Sequence, residues 1–218
     1  MKYRYLTFDC YGTLIDWRAG IEAGLRSALG RVGLQGQDLL DVYVEAEKRQ
    51  ESRYIKYREV LGRTALSMAR SLGVPVSRSA ADKFAASVPS WPAFPDSGGF
   101  LREMGSRGYR RFILSNVDND LLEATIRKNG LEVDGYVTAE QIGSYKPNPA
   151  HWKEFMSRTG ARKGEMLHVA QSVFHDIIPT QRMRIGSAWV NRYHEKLPPN
   201  ASPLIISDTL KSLGELLQ

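Results

Sequence analysis

The period of the apolar residues changes several times along the chain, and each change predicts an element. Tyr3 to Phe8 is a short aromatic and β-branched run of the kind that forms a buried strand. From Ile15 to Val32 the apolar residues Ile21, Leu25, Leu29 and Val32 recur at helical spacing, and Gly33 closes the run. A long second helix is predicted from Gln37 to about Gly62, carrying Leu39, Leu40, Val42 and Val44 early and Tyr54, Ile55, Tyr57 and Leu61 late. Thr64 to Leu72 repeats the spacing and ends at Gly73. Ser77 to Ser87 is a further helix with Ser77 or Ser79 as N-cap. No segment from 15 to 88 reads as a parallel-sheet strand.

Val88 to Ser97 holds three prolines in seven residues, which disfavours helix and stiffens the connection. Beyond it, strands and helices alternate. Helices are predicted at Phe100–Arg107, Leu121–Asn129, Ala150–Arg158, Val173–Arg184 and Leu210–Leu217. Strands are predicted at Tyr109–Leu114, Gly135–Thr138, Met166–Ala170, Ala188–Asn191 and Leu204–Ser207. This alternation predicts an α/β fold, a doubly wound Rossmann-like parallel sheet with right-handed crossovers. The helical block after the first strand reads as an inserted α-helical cap, residues 15–92, on a core of residues 1–14 and 93–218.

Composition narrows the class. A length of 218 residues allows a substantial core, and a charged fraction of 25% is that of a soluble globular protein. No apolar run reaches the length of a membrane span, and the first strand follows no basic-then-apolar leader. A single cysteine, Cys10, excludes an internal disulfide framework and a cysteine-rich zinc site, so the expected compartment is the cytosol. The net charge of +6 is dispersed, with acids interleaved as in Glu45 to Glu51. That pattern speaks against nucleic acid as a partner and for a small anionic substrate.

Polar residues of catalytic type stand where the predicted strands end. Asp9 leaves the first strand into Cys10-Tyr11-Gly12-Thr13-Leu14, where Gly12 allows a sharp turn and Thr13 offers a hydroxyl. Taken alone, this stretch suits a capped strand exit as well as a nucleophile. Ser115-Asn116 follows the second strand, Lys146-Pro147 lies between a strand and a helix, and Gln171-Ser172-Val173-Phe174-His175-Asp176 follows the fourth strand. In open α/β sheets these carboxyl-terminal ends are where ligands bind.

Asp, Ser/Asn, Lys-Pro and Asp in this order resemble the four motifs of the haloacid dehalogenase superfamily, across essentially the whole chain. Superfamily phosphatases carry a second Asp two residues after the nucleophile to protonate a leaving alkoxide. Here that position is Tyr11. Halide leaves as a stable anion and needs no such acid. Asp9-Cys10-Tyr11-Gly12-Thr13 and Trp189-Val190-Asn191-Arg192 resemble the L-2-haloacid dehalogenase branch.

The resemblance implies a hydrolase in which Asp9 displaces halide from a 2-haloacid and forms an ester. Water then hydrolyses the ester with help from Asp176. Lys146 holds Asp9 ionised, while Thr13 and Ser172 fix neighbouring side chains. Ser115, Asn116 and the backbone around Cys10 and Tyr11 bind the substrate carboxylate. The resemblance implies no cofactor or metal. The alternative reading, a phosphatase-like hydrolase, would place Mg²⁺ on Asp9, the Tyr11 carbonyl and Asp176.

Three departures bear on the substrate. The branch carries a halide-receiving arginine early in the cap, and that region falls near Ala46, with Arg49, Arg53 and Arg58 as substitutes. The aromatic six residues after the lysine is tyrosine in the branch and Trp152 here. The fourth motif has Val173 in place of an asparagine and is one residue longer. His175 is expected to support the site rather than act as base. An apolar face on the long second helix makes a homodimer reasonable.

Overall fold

The computed structural model describes residues 3–29, 36–50 and 53–217. The chain divides into two compact units. One joins the residues up to Asp16, Ala93–Asn116 and the chain from Asn129 onward, and the other joins Trp17–Pro92 with Val117–Lys128.

The first unit is built on six parallel strands: β1 (Tyr5–Phe8), β2 (Arg110–Ser115), β3 (Gly135–Thr138), β4 (Met166–Ala170), β5 (Gly186–Val190) and β6 (Ile205–Ser207). Their order is β3-β2-β1-β4-β5-β6. The chain therefore winds outward from β1 through β2 to β3, then crosses back to β4 on the other side. β1 and its neighbours form the topological switch point, where the crevice at the strand ends opens.

β1 pairs in register with both neighbours, Phe8 beside Ile113 and beside Val169. Because side chains alternate across a strand, Tyr5, Thr7 and Asp9 share one face. The base of that face is apolar: Tyr5, Leu114, Trp152, Phe155, Met166 and Ile185 form one buried cluster. The ring of Phe155, from the helix Ala150–Thr159, stands edge-on to Tyr5 at 5.5 Å and to Phe112 at 5.1 Å. On the opposite face Phe8 meets Phe100 at 6.0 Å, from the helix Ser97–Ser106.

The second unit is helical: α1 (Trp17–Leu29), α2 (Gly36–Lys48), α3 (Tyr57–Ser71), α4 (Arg78–Ala85) and α5 (Asn119–Asn129, whose last residue falls in the first unit). The single helix predicted from Gln37 to Gly62 is two, α2 and α3. The break has a long-range cause. The Asp118 carboxylate accepts the backbone N–H groups of Tyr57 and Arg58, both at 2.9 Å, and so starts α3 afresh. That capping interaction also explains why Val117–Lys128, assigned to the core from sequence, groups with the helical unit. Glu47 ties α2 to α3, its Oε1 accepting the hydroxyls of Tyr43 at 2.6 Å and Tyr57 at 2.8 Å. Burial raises its pKa.

Ser77 caps α4 as expected, accepting Ala80 N–H at 3.1 Å. The predicted end of the first helix, Val32-Gly33, lies outside the described residues. Leu39, Leu40, Tyr43 and Ala46 of α2 are buried, and Val42 and Val44 are half-buried. No described helix is long and apolar enough to cross a membrane.

Gly20 on α1 lies against Trp91. A Cβ there would fall 2.2 Å from Trp91 Cγ and 2.6 Å from its Cβ, the root of a buried indole that cannot swing away. Gly20→Ala is therefore expected to destabilise the protein by about 1–3 kcal/mol through overpacking, outweighing the gain of about 1 kcal/mol in helix propensity. A lowered denaturant midpoint with unchanged slope is the expected reading.

Candidate active site

Asp9 continues the β-ladder by one bond, its N–H donating to Val169 O at 3.0 Å. The chain then turns around the Cys10 carbonyl, which accepts Leu14 N–H at 2.8 Å and Ile15 N–H at 2.9 Å. Gly12 makes the turn possible at φ 101°, a backbone conformation that a side chain would strain. Arg192 locks the turn from outside. Its Nε and Nη2 donate to Thr13 O at 2.9 and 2.8 Å, it pairs with Asp96 at 2.9 Å, and it lies 3.8 Å from the Phe94 ring centroid.

Both oxygens of Asp9 are engaged. Oδ1 accepts from Lys146 Nζ at 2.9 Å and Oδ2 from the Thr13 hydroxyl at 2.9 Å. Thr13 Oγ1 in turn accepts Gln171 N–H at 2.9 Å, tying the first and fourth motifs together. Lys146 is buried with all three ammonium protons directed, to Asp9, to Asp176 Oδ1 at 2.7 Å and to Leu114 O at 3.0 Å. Its backbone is clamped by Asn116, which accepts Lys146 N–H at 2.7 Å and donates to Lys146 O at 3.0 Å.

Asp176 is fully buried. Its Oδ1 also receives His168 Nε2–H at 2.9 Å, while Oδ2 has no hydrogen-bond partner among the described residues. In the fourth motif Val173–Ile177 forms a π-helical turn. There Ile177 N–H reaches Ser172 O at 3.3 Å and Ile178 N–H reaches Val173 O.

Burial raises the pKa of Asp9, with the Asp176 charge adding to it, and the Lys146 charge and hydrogen bonds oppose the rise. Burial would raise Asp176 too, but the Lys146 charge and the His168 bond outweigh it and hold this carboxyl well below the ordinary range. Burial disfavours the Lys146 ammonium, yet the two carboxylates raise its pKa, so it stays charged. The Cys10 thiol is pushed far up by burial and by the Asp9 charge, and is no nucleophile. Burial and then the Lys146 charge hold His151 down at about 3, leaving a neutral ring whose Nε2–H donates to Ser115 O at 3.1 Å.

The structure thus brings Asp9, Thr13, Lys146 and Asp176 together, with Asn116 and Ser115 beside them. Other expected residues stand apart. Ser172 touches neither carboxylate: its hydroxyl accepts His175 N–H at 3.1 Å and bonds His175 Nδ1 at 3.0 Å, capping the π turn. Asn116 stays beside the cluster, holding the Lys146 backbone through Oδ1 and one of its two amide hydrogens. Trp152 is buried in the apolar cluster beneath the site, edge-on to His168 at 5.2 Å, and lines no open surface. Tyr11 is half-buried in the turn and adds no carboxylate. Arg49 pairs with Glu45 at 3.2 Å, Arg58 pairs with Asp120, and Arg53 is exposed, all within the helical unit.

Three contributors escaped the sequence reading: His168, Thr7 and Arg192 as a clamp. A histidine inside the strand Met-Leu-His-Val-Ala was the available signal, since a polar residue there needs a buried partner. Among the described residues no group of three or more His, Cys, Asp or Glu is placed to hold a metal ion.

A family model described as haloacid dehalogenase-like hydrolase matches residues 3–178. The chain is similar to (S)-2-haloacid dehalogenase 4A of Burkholderia cepacia, 22% identical, over 98% of this chain and 93% of that protein. It is also similar to (S)-2-haloacid dehalogenase 1 of Pseudomonas sp. (strain CBS-3), 24% identical over 99% of this chain and 95% of that protein. Among solved structures, it matches L-2-haloacid dehalogenase from Xanthobacter autotrophicus with chloropropionic acid covalently bound. That match has a TM-score of 0.86 at 21% identity, covering 99% of this chain and 98% of the other, and it speaks to the fold.

Proposed function

The chain belongs to the haloacid dehalogenase-like hydrolase family, and on that footing we propose that it displaces halide from short 2-haloacids through an ester on Asp9. The observation that carries this reading is the pairing of a fully supported Asp9 with a non-acidic residue, Tyr11, two positions later. A nucleophile is present, and the acid that an alkoxide leaving group requires is not. The dehalogenase names of the similar proteins point the same way.

In the first step one Asp9 oxygen attacks the substrate α-carbon from the side opposite the halogen. The carbon–halogen bond breaks, halide departs with the bonding pair, and the centre inverts. Lys146 and Thr13 orient the carboxylate for this attack. In the second step water adds to the Asp9 carbonyl carbon. The acyl C–O bond breaks, the 2-hydroxy acid leaves with one proton of the water on its hydroxyl, the water's second proton is released to solvent, and Asp9 returns to the carboxylate. Asp176 serves this step by orienting the water on Oδ2, its partnerless oxygen. Held well below the ordinary carboxylate range, it acts through geometry more than basicity.

Ser115, whose buried hydroxyl has no hydrogen-bond partner among the described residues, and the backbone N–H groups near Cys10 and Tyr11 receive the substrate carboxylate. We assign no metal, since no phosphoryl charge needs neutralising, and we place the enzyme in the cytosol.

A halide-release screen with and without EDTA tests the proposal. Chloride or bromide is expected from L-2-haloacids at rates that EDTA leaves unchanged. No release across chloro-, bromo- and fluoroacids, or Mg²⁺-dependent cleavage of a phosphate ester instead, would contradict it.

A further inference from the structure

Thr7 and His168 are direct register partners on adjacent strands, β1 and β4, and both are fully buried. They form a layer between the apolar base of the sheet and the carboxylates above it. Thr7 Oγ1 lies 2.9 Å from His168 Nδ1, and His168 Nε2 lies 2.9 Å from Asp176 Oδ1. Asp176, ionised, can only accept, so Nε2 carries the hydrogen and Thr7 serves the other ring nitrogen. The Trp152 ring stands edge-on to the imidazole at 5.2 Å and 78°, which closes the remaining freedom of the ring.

We infer that His168, held by Thr7 and Trp152, is a positioning residue that fixes Asp176 for the ester-hydrolysis half of the reaction. This rests on the dehalogenase reading above. Before attack, Lys146 is shared between Asp9 and Asp176. Once Asp9 is an ester its negative charge is gone, and Asp176 is the one anion left on the ammonium. Lys146 then keeps Asp176 and the Leu114 carbonyl as partners, and no longer balances Asp176 against a charge on Asp9.

His168 approaches from the sheet and keeps its bond to Oδ1 throughout, so Oδ2 stays turned toward incoming water. Alkylation of Asp9 needs none of this, because Thr13 and Lys146 orient that carboxylate directly. Removal of the imidazole bond therefore slows the second half-reaction selectively.

The test compares first-turnover halide release, steady-state turnover and intact protein mass for the native chain, His168→Phe, His168→Gln and Thr7→Val, with 2-chloropropionate. His168→Phe keeps ring volume without the donor. It is expected to release the first equivalent of halide at nearly the native rate, to turn over about 10- to 100-fold more slowly, and to accumulate the Asp9 ester as a mass adduct. His168→Gln restores a donor at similar reach and is expected to recover much of the turnover and lose the adduct. Thr7→Val, which leaves the ring in place, is expected to accumulate a smaller fraction of adduct, and it carries the test if His168→Phe does not fold. Equal slowing of burst and turnover with no adduct in these variants, or native turnover in both His168→Phe and Thr7→Val, would overturn the inference alone. Absence of halide release from the native chain would overturn the dehalogenase reading, and the inference with it.

Discussion

Asp9→Asn is expected to lower halide release by about 10⁴-fold or more, with no covalent adduct formed. The carboxylate attacks carbon because it carries a localised negative charge held between Lys146 and Thr13. The amide is neutral and has a poor lone pair for substitution at carbon. Its shape is almost the same, so the turn around Cys10 and the clamp from Arg192 remain. The amide also meets two donors where the carboxylate had two acceptors. A loss of about 1–3 kcal/mol of stability is therefore expected alongside. Halide release and intact mass, read on protein whose circular dichroism matches the native chain, separate the two effects.

Lys146→Met is expected to have the second largest effect, about 10²- to 10³-fold on turnover. Three consequences follow from one missing ammonium. Asp9 loses the charge and the hydrogen bond that oppose the rise in its pKa, so more of it is protonated at a given pH. The nucleophile must be ionised, so activity falls as pH drops through the Asp9 pKa. In the native enzyme this acid limb lies above the ordinary carboxylate value, and in Lys146→Met it moves higher still.

The third consequence is stability. Removing one partner from a buried cluster leaves Asp9 and Asp176 uncompensated, at about 3–5 kcal/mol. In the native protein the folded pKa of Asp176 is depressed, so its contribution is present above its unfolded pKa and is lost as pH falls through the folded one. The deficit of Lys146→Met is therefore largest at neutral pH and shrinks on acidification, as the unpaired carboxylates are protonated. Denaturant unfolding of both proteins across that range is the measurement.

What was legible in the sequence follows from what is local. Strand exits at Asp9, Ser115 and Asp176 were readable because apolar runs end abruptly in polar residues, and Gly135–Thr138 and Met166–Ala170 fall where the pattern places them. The Asp9, Thr13 and Lys146 grouping was reached through motif resemblance. Interactions between distant positions were hidden. The start of α3 depends on Asp118, 61 positions from Tyr57, and the support of Asp176 on Thr7 and His168, 161 positions apart. Trp152 shows the same limit. Its spacing from Lys146 suggested a substrate contact, yet the helix that carries it turns the indole into the core beneath the site.

The central claim is that water attacks the Asp9 carbonyl and not the substrate carbon. A single turnover in heavy-oxygen water, with enzyme in excess over an L-2-haloacid, tests it by mass spectrometry of the peptide holding Asp9 and of the product. One heavy oxygen on Asp9 and an unlabelled product hydroxyl are expected. Heavy oxygen in the product with none on Asp9 would contradict it.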